Sequence, residues 1–361
     1  MDLRYGKIDE NVLRRSVKDV ILHEGQRLRA LKAWPAGSYS MLVEHVQKEL
    51  AEGAGIKISA EPVVCRTYGA GSEIELSGKL AVIRNANRLA AEKMRAEMIS
   101  PVILLPPGTK EETLRKLIRQ ITETAFILNI GIAEVHAEVT DAVLCPVVTG
   151  TMTGKAFHSD SDRKTDKIAA NAGMEIIAAG PVGLEGTRIL LSECRSMLQD
   201  YFPESLLMRM EGIDMEMCVT RTAEIAAGAG ADTMVNLSGG GLYTGLWELS
   251  QKTRCGFKVD LPSVPLLQET IEITNYLGIN PYGMRSGGCI LLAGSDGEKI
   301  IQQLSEADIP AVRIGTLETT RDKVIQNGDE VRYLDRPQAD TLDQFLYERA
   351  LSKGTFNKEI D

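Results

Sequence analysis

The 361-residue sequence has few aromatic residues, only four histidines and no excess of positive charge. Aromatic side chains make up 5% of it, so we expect its cores to be aliphatic. The formal net charge is −9, which argues against nucleic acid as a partner because phosphate neutralisation needs clustered Lys and Arg. That total still allows a local basic pocket for a nucleotide.

The sequence also lacks paired cysteines and long apolar runs. Its six cysteines form no C-x-x-C pair and match no spacing typical of zinc or redox sites. No apolar run approaches the ~20 residues that a membrane helix needs, and the N-terminal stretch has no apolar signal core. We therefore expect reduced thiols, no membrane contact and a cytoplasmic location.

What is present is an ordinary globular composition, with 43% apolar and 25% charged residues. A chain of this length predicts about two domains. Residues 157–172 are polar and charged, and we interpret them as a linker. This predicts an N-terminal domain over residues 1–156, a C-terminal domain over residues 173–330 and a tail over residues 331–361.

Helix and strand patterns mix in both halves. Apolar side chains recur at helical spacing over residues 80–98 and 111–128, and each stretch is predicted to be a helix. A buried strand is predicted over residues 101–105, and another over residues 233–237. Because strands and helices follow no strict alternation, the pattern favours an α+β fold over a doubly wound one.

The most suggestive local motif is a glycine run between a predicted strand and a predicted helix. Gly239, Gly240 and Gly241 allow close approach of a ligand to the backbone. The N-terminus of the following helix offers free N–H groups to an anion. Glycine-rich turns without ligands are also common, so a purely structural turn is the alternative.

Six segments resemble AIR synthase-related proteins, which include the hydrogenase maturation factors, and the resemblance extends over residues 5–320. It implies an N-terminal domain that forms a sheet-based dimer and a C-terminal α+β domain. It also implies ATP in a cleft, with the phosphates held through magnesium by several aspartates. The segments are NANRLAAEKM, PVILLPPGTKEETL, IAEVHAEVTDAVLCPVVTGTMTGKA, GPVGLEGTRILLSE, VNLSGGGLYTGLWELSQ and VDLPSVPLLQETIEITNYLGINPYGMRSGGCILLAG.

Several acidic positions of that family are changed here. Asn236 replaces an aspartate before the glycines, and Ser238 keeps a hydroxyl where the family has threonine. Asn85 and Asn87 are kept, but Arg88 replaces the aspartate that follows them. Magnesium prefers hard anionic oxygens, so these changes weaken a metal site, and we expect no metal ligands.

Arg66 also stands where relatives have an acidic segment. Since a guanidinium cannot coordinate a cation, Arg66 and Arg88 are candidates to bind phosphate directly in a bidentate fork. The alternative for Asn85, Asn87 and Arg88 is an asparagine cap at a helix start beside a solvated arginine.

The segment EVHAEVT keeps three polar residues of the family motif GGHTEVT. The resemblance implies pocket positions for His136, Glu138 and Thr140, with His136 and Glu138 as candidate catalytic residues and His136 as a proton donor or shuttle. A histidine on an alternating strand is also commonly structural, and that alternative stays open.

Three functions follow from the resemblance. The first is a dimeric protein that binds ATP or another phosphorylated ligand, with arginines in place of magnesium. The second is a non-catalytic binding or regulatory module. The third is a conventional Mg-ATP-dependent ligase or kinase, whose chemistry would be phosphoryl transfer or dehydration of the AIR synthase type.

Overall fold

The computed structural model describes seven stretches of the chain. At residues 6–7, 56–60 and 63–64 it describes the backbone alone. Most of the predicted linker, and Arg66 with it, lies outside the described residues. The stretches are residues 6–7, 12, 14–24, 56–60, 63–64, 76–157 and 172–352.

The chain divides into two compact units. The first consists of Met1–Leu89 and Met94–His158, and the second of Ala90–Lys93 and Ser159–Asp361. In the described residues, no helix is both long enough and apolar enough to cross a membrane.

Over its described residues, the first unit contains a seven-stranded mixed sheet. Its strands are β1 (Gly6–Lys7), β2 (Ile56–Ala60), β3 (Val63–Val64), β4 (Met94–Leu105), β5 (Gly131–Ile132), β6 (His136–Val139) and β7 (Val147–Ala156). The order is β1-β6-β4-β7-β2, with β3 beside β7 and β5 beside β4. Strand β4 pairs antiparallel with β7 and parallel with β6. Buried residues alternate with more exposed ones along β4 and β7, which indicates that only one face packs on the core.

Two helices cover the buried face of this sheet, α1 (Ser77–Ala91) and α2 (Glu111–Ile127). Leu89 of α1 lies against Gly154 of β7. The core-facing side of α2 is aliphatic because its apolar residues recur at helical spacing. Leu114, Leu117, Ile118 and Ile121 are each no more than 1% exposed. A π-helical turn at Arg14–Lys18 packs against α2.

The predicted helix over residues 80–98 is wrong at its C-terminal end. Helix α1 ends at Ala91, Lys93 takes a left-handed conformation with φ 61°, and β4 begins at Met94. The predicted strand over residues 101–105 is the second half of β4. Residues 94–98 are strong helix formers, but pairing with β7 overrides that local preference.

In the part that the structure describes, the second unit contains another seven-stranded sheet. Its strands are β8 (Glu175–Ala179), β9 (Thr233–Asn236), β10 (Gly256–Asp260), β11 (Ile290–Gly294), β12 (Ala311–Glu318), β13 (Lys323–Asn327) and β14 (Glu330–Tyr333). The order is β14-β13-β10-β12-β8-β11-β9, and all pairs are antiparallel except β10 with β13. The mixed sheets confirm the predicted α+β class.

Seven α-helices complete the described part of the second unit. They are α3 (Leu184–Leu198), α4 (Glu204–Glu211), α5 (Thr220–Ala229), α6 (Gly241–Thr253), α7 (Gln268–Leu277), α8 (Gly297–Ser305) and α9 (Thr341–Ser352). The inward sides of α6 and of the central strands form an aliphatic core that contains Phe257 and Leu246, both fully buried. Because β9 leads directly into α6, the sheet positions the glycine run at the N-terminus of that helix.

Candidate functional site

In the first unit, Asn85, Asn87 and Arg88 lie near the C-terminal end of α1. Asn85 and Asn87 are buried, whereas Arg88 is exposed. Asn85 Nδ2 donates to the carbonyl oxygen of Ala81, 2.8 Å away. These asparagines are therefore not caps, because α1 begins at Ser77, well before either of them.

His136 and Glu138 lie on the sheet face opposite α1. Their side chains are 44% and 40% exposed, and His136 Nε2 lies 3.4 Å from Glu138 Oε2. The intervening Ala137 points to the core. The alternation of the strand thus places an imidazole and a carboxylate side by side, which suits exchange of a proton between them.

Thr140 follows β6 directly. Its hydroxyl accepts a hydrogen bond from the Ala142 backbone nitrogen at 3.2 Å, and its own nitrogen donates to Leu105. This hydroxyl therefore stabilises the turn after the strand.

In the second unit, the glycine run forms a tight turn between β9 and α6, which we call the glycine turn (residues 236–241). Gly240 and Gly241 have φ values of 78° and 56°. A Cβ atom at Gly241 would collide with the carbonyl oxygen of Met284, so this position requires glycine. The Gly241 nitrogen donates to the Ser238 carbonyl at 3.1 Å, which closes the turn.

Asn236, at the end of β9, is half-buried beside this turn. Its Oδ1 atom is buried and has no hydrogen-bond partner among the described residues. An unpaired buried acceptor costs free energy, so this oxygen is suited to receive a donor or a cation. The change from the family's aspartate retains an oxygen here but removes the charge.

A carboxylate from the C-terminal part of the chain binds the glycine turn. Asp340 Oδ2 accepts a hydrogen bond from the Gly240 nitrogen at 2.6 Å, and its Oδ1 accepts from the Leu342 nitrogen at 2.9 Å. One side chain therefore caps the N-termini of both α6 and α9. Asp340 is only 7% exposed, and burial raises the pKa of its carboxyl above the ordinary value.

Arg285 is the cation of this site. Its Nη2 donates to Asp343 Oδ2 at 2.8 Å, and its guanidinium faces Gly239. Burial disfavours its charge, but the nearby carboxylates of Glu185, Asp343 and Asp340 raise the pKa of Arg285. The guanidinium therefore stays protonated at the edge of the glycine turn.

The second glycine turn of this unit, before α3, is already filled by the chain itself. The Gly183 nitrogen donates to Ser286 Oγ at 2.8 Å, and the Gly186 nitrogen donates to the Arg285 carbonyl at 3.0 Å. Thr187 is fully buried and donates to the Gly183 carbonyl. The turn at residues 236–241 also has donors bound by the chain, but the buried Asn236 Oδ1 beside it has no partner among the described residues, so we consider it the better candidate for ligand binding.

Among the described residues, the structure brings together the predicted site residues of the glycine turn but not those of the first unit, where α1 lies on the sheet face opposite His136 and Glu138. Asn236, Ser238 and the three glycines form one turn in the second unit, while the asparagines, Arg88, His136, Glu138 and Thr140 belong to the first. The sequence reasoning missed Arg285, Asp340 and Asp343. The pattern D-T-L-D at residues 340–343 is typical of a helix cap, but nothing in the sequence links it to Gly240.

The donors around the glycine turn suit an anion. They are the backbone N–H of Gly240 and the Arg285 guanidinium, and both bind carboxylates in this structure. In the described residues, no three His, Cys, Asp or Glu side chains are grouped so as to hold a metal ion. This α+β protein thus has a glycine turn whose Gly240 N–H and neighbouring Arg285 guanidinium each bind a carboxylate of the same chain.

The sequence comparisons agree with that architecture. Residues 171–327 match the family described as AIR synthase related protein, C-terminal domain. A hydrogenase expression/formation protein from Methanocaldococcus jannaschii is 24% identical over 231 residues, covering 63% of this chain and 66% of that protein. Carbamoyl dehydratase HypE from Rhodobacter capsulatus is 24% identical over 221 residues, covering 61% and 62%. The matches span just under two thirds of the length of these relatives.

Solved structures show the same fold. E. coli HypE has a TM-score of 0.67 at 19% identity, covering 91% of this chain and 100% of that chain. HypE in complex with ATP has a TM-score of 0.61 at 17% identity, covering 80% and 87%. Residues 171–327 thus resemble the C-terminal domain of AIR synthase-related proteins, and the chain as a whole is similar in fold to HypE.

Proposed function

We propose that this chain binds ATP or another phosphorylated ligand at the glycine turn, with Arg285 as the principal cation. The observation that carries the proposal is the buried carboxylate on the Gly240 nitrogen. A carboxylate and a phosphate place the same demand on a site, namely N–H donors and positive charge. The similarity to a HypE that was crystallised with ATP supports a nucleotide as the ligand.

The charge of the ligand would be balanced by guanidinium rather than by magnesium. Arg285 is held in place by Asp343 and remains protonated. A planar guanidinium can bind two phosphate oxygens at once. Arg66 and Arg88 remain further candidates for phosphate contacts, and Asn85, Asn87 and Ser238 for neutral ones.

Two alternatives are tied to particular residues. A non-catalytic binding or regulatory module is supported by the loss of charge at Asn236 and its reversal at Arg88. A conventional Mg-ATP enzyme is supported by the unpaired Asn236 Oδ1, because a neutral oxygen can still coordinate a cation. For an enzyme we propose ATP-dependent phosphoryl transfer or dehydration, with His136 as proton donor and Glu138 as the acid that orients it.

We also propose a homodimer that forms through the open face of the first sheet. His136 and Glu138 share that face with Val102 and Leu104, which are only partly buried. Apolar side chains between polar ones suit contact with a second copy. Light scattering coupled to size-exclusion chromatography should show a dimer at micromolar concentration, and a monomer would contradict this part of the proposal.

Thermal unfolding with ATP tests the ligand and its dependence on metal. A ligand at 100 times its Kd adds about 2.7 kcal/mol to the free energy of unfolding. We expect a rise in melting temperature that persists in EDTA and disappears in Arg285→Ala. The matched control Arg321→Ala removes an exposed arginine of the same unit and should keep the rise.

The alternatives give different results. A rise that requires magnesium would favour the conventional enzyme. No rise with any nucleotide, either in the wild type or in Asp340→Ala, which frees the Gly240 N–H, would favour the binding module.

A further inference from the structure

We propose that residues 340–352, which we call the C-terminal segment, occupy the glycine turn as a built-in competitor, so that a phosphorylated ligand must displace Asp340. This inference rests on the proposed function and concerns regulation of the same site. It differs from a permanent anchor, in which Asp340 would stay on Gly240 whether or not a ligand is bound.

The C-terminal segment satisfies both groups that would bind a phosphate. Asp340 takes the Gly240 N–H, and Asp343 takes the Arg285 guanidinium. The two carboxylates are three residues apart and belong to the start of one helix. A phosphate oxygen and Asp340 would compete for the single N–H of Gly240, and the two negative charges would repel each other at that position.

The electrostatics of the bound segment are mixed. Two backbone N–H groups and Arg285 favour the Asp340 carboxylate, but its burial opposes the charged form. Asp343 adds repulsion between like charges. A polyanionic ligand that pairs with Arg285 and also remains in contact with water would avoid part of this desolvation cost.

The apolar side of the C-terminal segment holds it in place independently of charge. Leu342, Leu346 and Ala350 are almost fully buried against the second unit. Residues 335–339, just before the segment, have no regular secondary structure, and most of them are exposed. The C-terminal segment can therefore detach from the glycine turn as a unit, and this release would expose Leu342, Leu346 and Ala350.

Two variants weaken the C-terminal segment by different means. Asp340→Ala removes the carboxylate that caps both helices. Leu346→Ala changes no charge and loosens the packing of α9. When only a fraction of molecules has an open site, the measured Kd equals the Kd of the open form divided by that fraction. Each variant should therefore bind ATP more tightly, by about tenfold if a tenth of wild-type molecules are open.

Two controls separate displacement from general effects. Asp335→Ala removes an exposed negative charge just before the segment, and Leu304→Ala truncates a fully buried leucine in α8. Neither should tighten binding. ATP titration by calorimetry in EDTA gives the affinities of wild type and the four variants. Hydrogen exchange of wild-type peptides covering residues 338–352 should increase when ATP is added.

The outcomes distinguish this inference from the proposed function. One outcome is that wild type binds ATP, residues 338–352 keep their protection from exchange, and both variants bind ATP with the same affinity as wild type. In that case Asp340 is a permanent anchor and the inference is wrong. Tighter binding by Asp340→Ala but not by Leu346→Ala indicates a charge effect alone and also overturns it. If neither the wild type nor either variant binds ATP or pyrophosphate, although exchange shows the segment released, the proposed function itself fails.

Discussion

The Oδ2 atom of Asp340 lies 2.6 Å from the backbone nitrogen of Gly240, and the two residues are a hundred positions apart in the chain. The Asp340 carboxylate occupies the backbone N–H of Gly240, which no side chain of residues 239–241 covers because all three are glycines. This pair connects the C-terminal helix to the strand–turn–helix unit that the sequence analysis singled out. The contribution of this hydrogen bond to stability can be tested without any ligand.

Replacing Gly241 by alanine should strongly destabilise the second unit. Its φ of 56° disfavours any side chain, and the new Cβ would collide with the Met284 carbonyl. We expect a loss of about 2–4 kcal/mol in the free energy of unfolding, measured by urea denaturation. The control Gly228→Ala lies in α5 with no atom within 4 Å of the new Cβ, and it should stabilise by about 0.4–1 kcal/mol. Equal effects of the two substitutions would contradict the role assigned to Gly241.

Glu111 should make the first unit sensitive to acid. Hydrogen bonds from Arg15 and Ser16 outweigh its burial and lower the pKa of Glu111 from 4.5 to about 2. Its contribution to stability is therefore complete above pH 4.5 and is lost as the pH falls toward 2. Because Arg15 and Arg115 are partly exposed, we expect Glu111→Gln to cost about 1–2 kcal/mol at pH 7.

Urea midpoints measured between pH 7 and pH 3 would show this effect of Glu111. The difference between wild type and Glu111→Gln should shrink steadily toward pH 3. Glu112→Gln changes the exposed neighbouring glutamate and should have little effect at any pH. A difference that stays constant with pH would mean that the ion pair with Arg15 adds nothing to stability.

Asp340 should give a pH dependence of the opposite sign. Burial raises its folded-state pKa above the ordinary 3.8, although Gly240, Leu342 and Arg285 partly offset this. Its contribution is therefore complete below pH 3.8 and declines as the pH rises through the raised value. Relative to wild type, Asp340→Ala should become less destabilising between pH 4 and pH 8, as measured by thermal unfolding. The opposite trend would show that Arg285 and the N–H groups dominate over burial.

The sequence predicted best the elements whose signals are local. Helix 111–128 was expected from its apolar spacing and is observed at Glu111–Ile127. The strand expected at residues 233–237 is observed at Thr233–Asn236, and it leads into a helix through the glycines as predicted. In each case neighbouring residues determine the outcome.

Features that depend on distant pairing could not be predicted. Residues 94–98 have helix-forming side chains, yet β7 pairs with them as a strand. Arg285 and Asp340 became site residues only when the fold brought their segments to Gly239 and Gly240. The roles of His136 and Glu138 in catalysis stay predictions, although the structure places the two side chains next to each other.

The stretch around Arg285 has a consequence for how this unit tolerates sequence change. The backbone carbonyl of Arg285 accepts from Gly186 at the start of α3, whereas its guanidinium faces Gly239 at the start of α6. A substitution of Arg285 would therefore alter the start of α6 and leave the backbone hydrogen bond at the start of α3 in place. Inserting or deleting a single residue between Pro281 and Cys289 would disturb both, so variation in length should be far rarer there than variation in residue type.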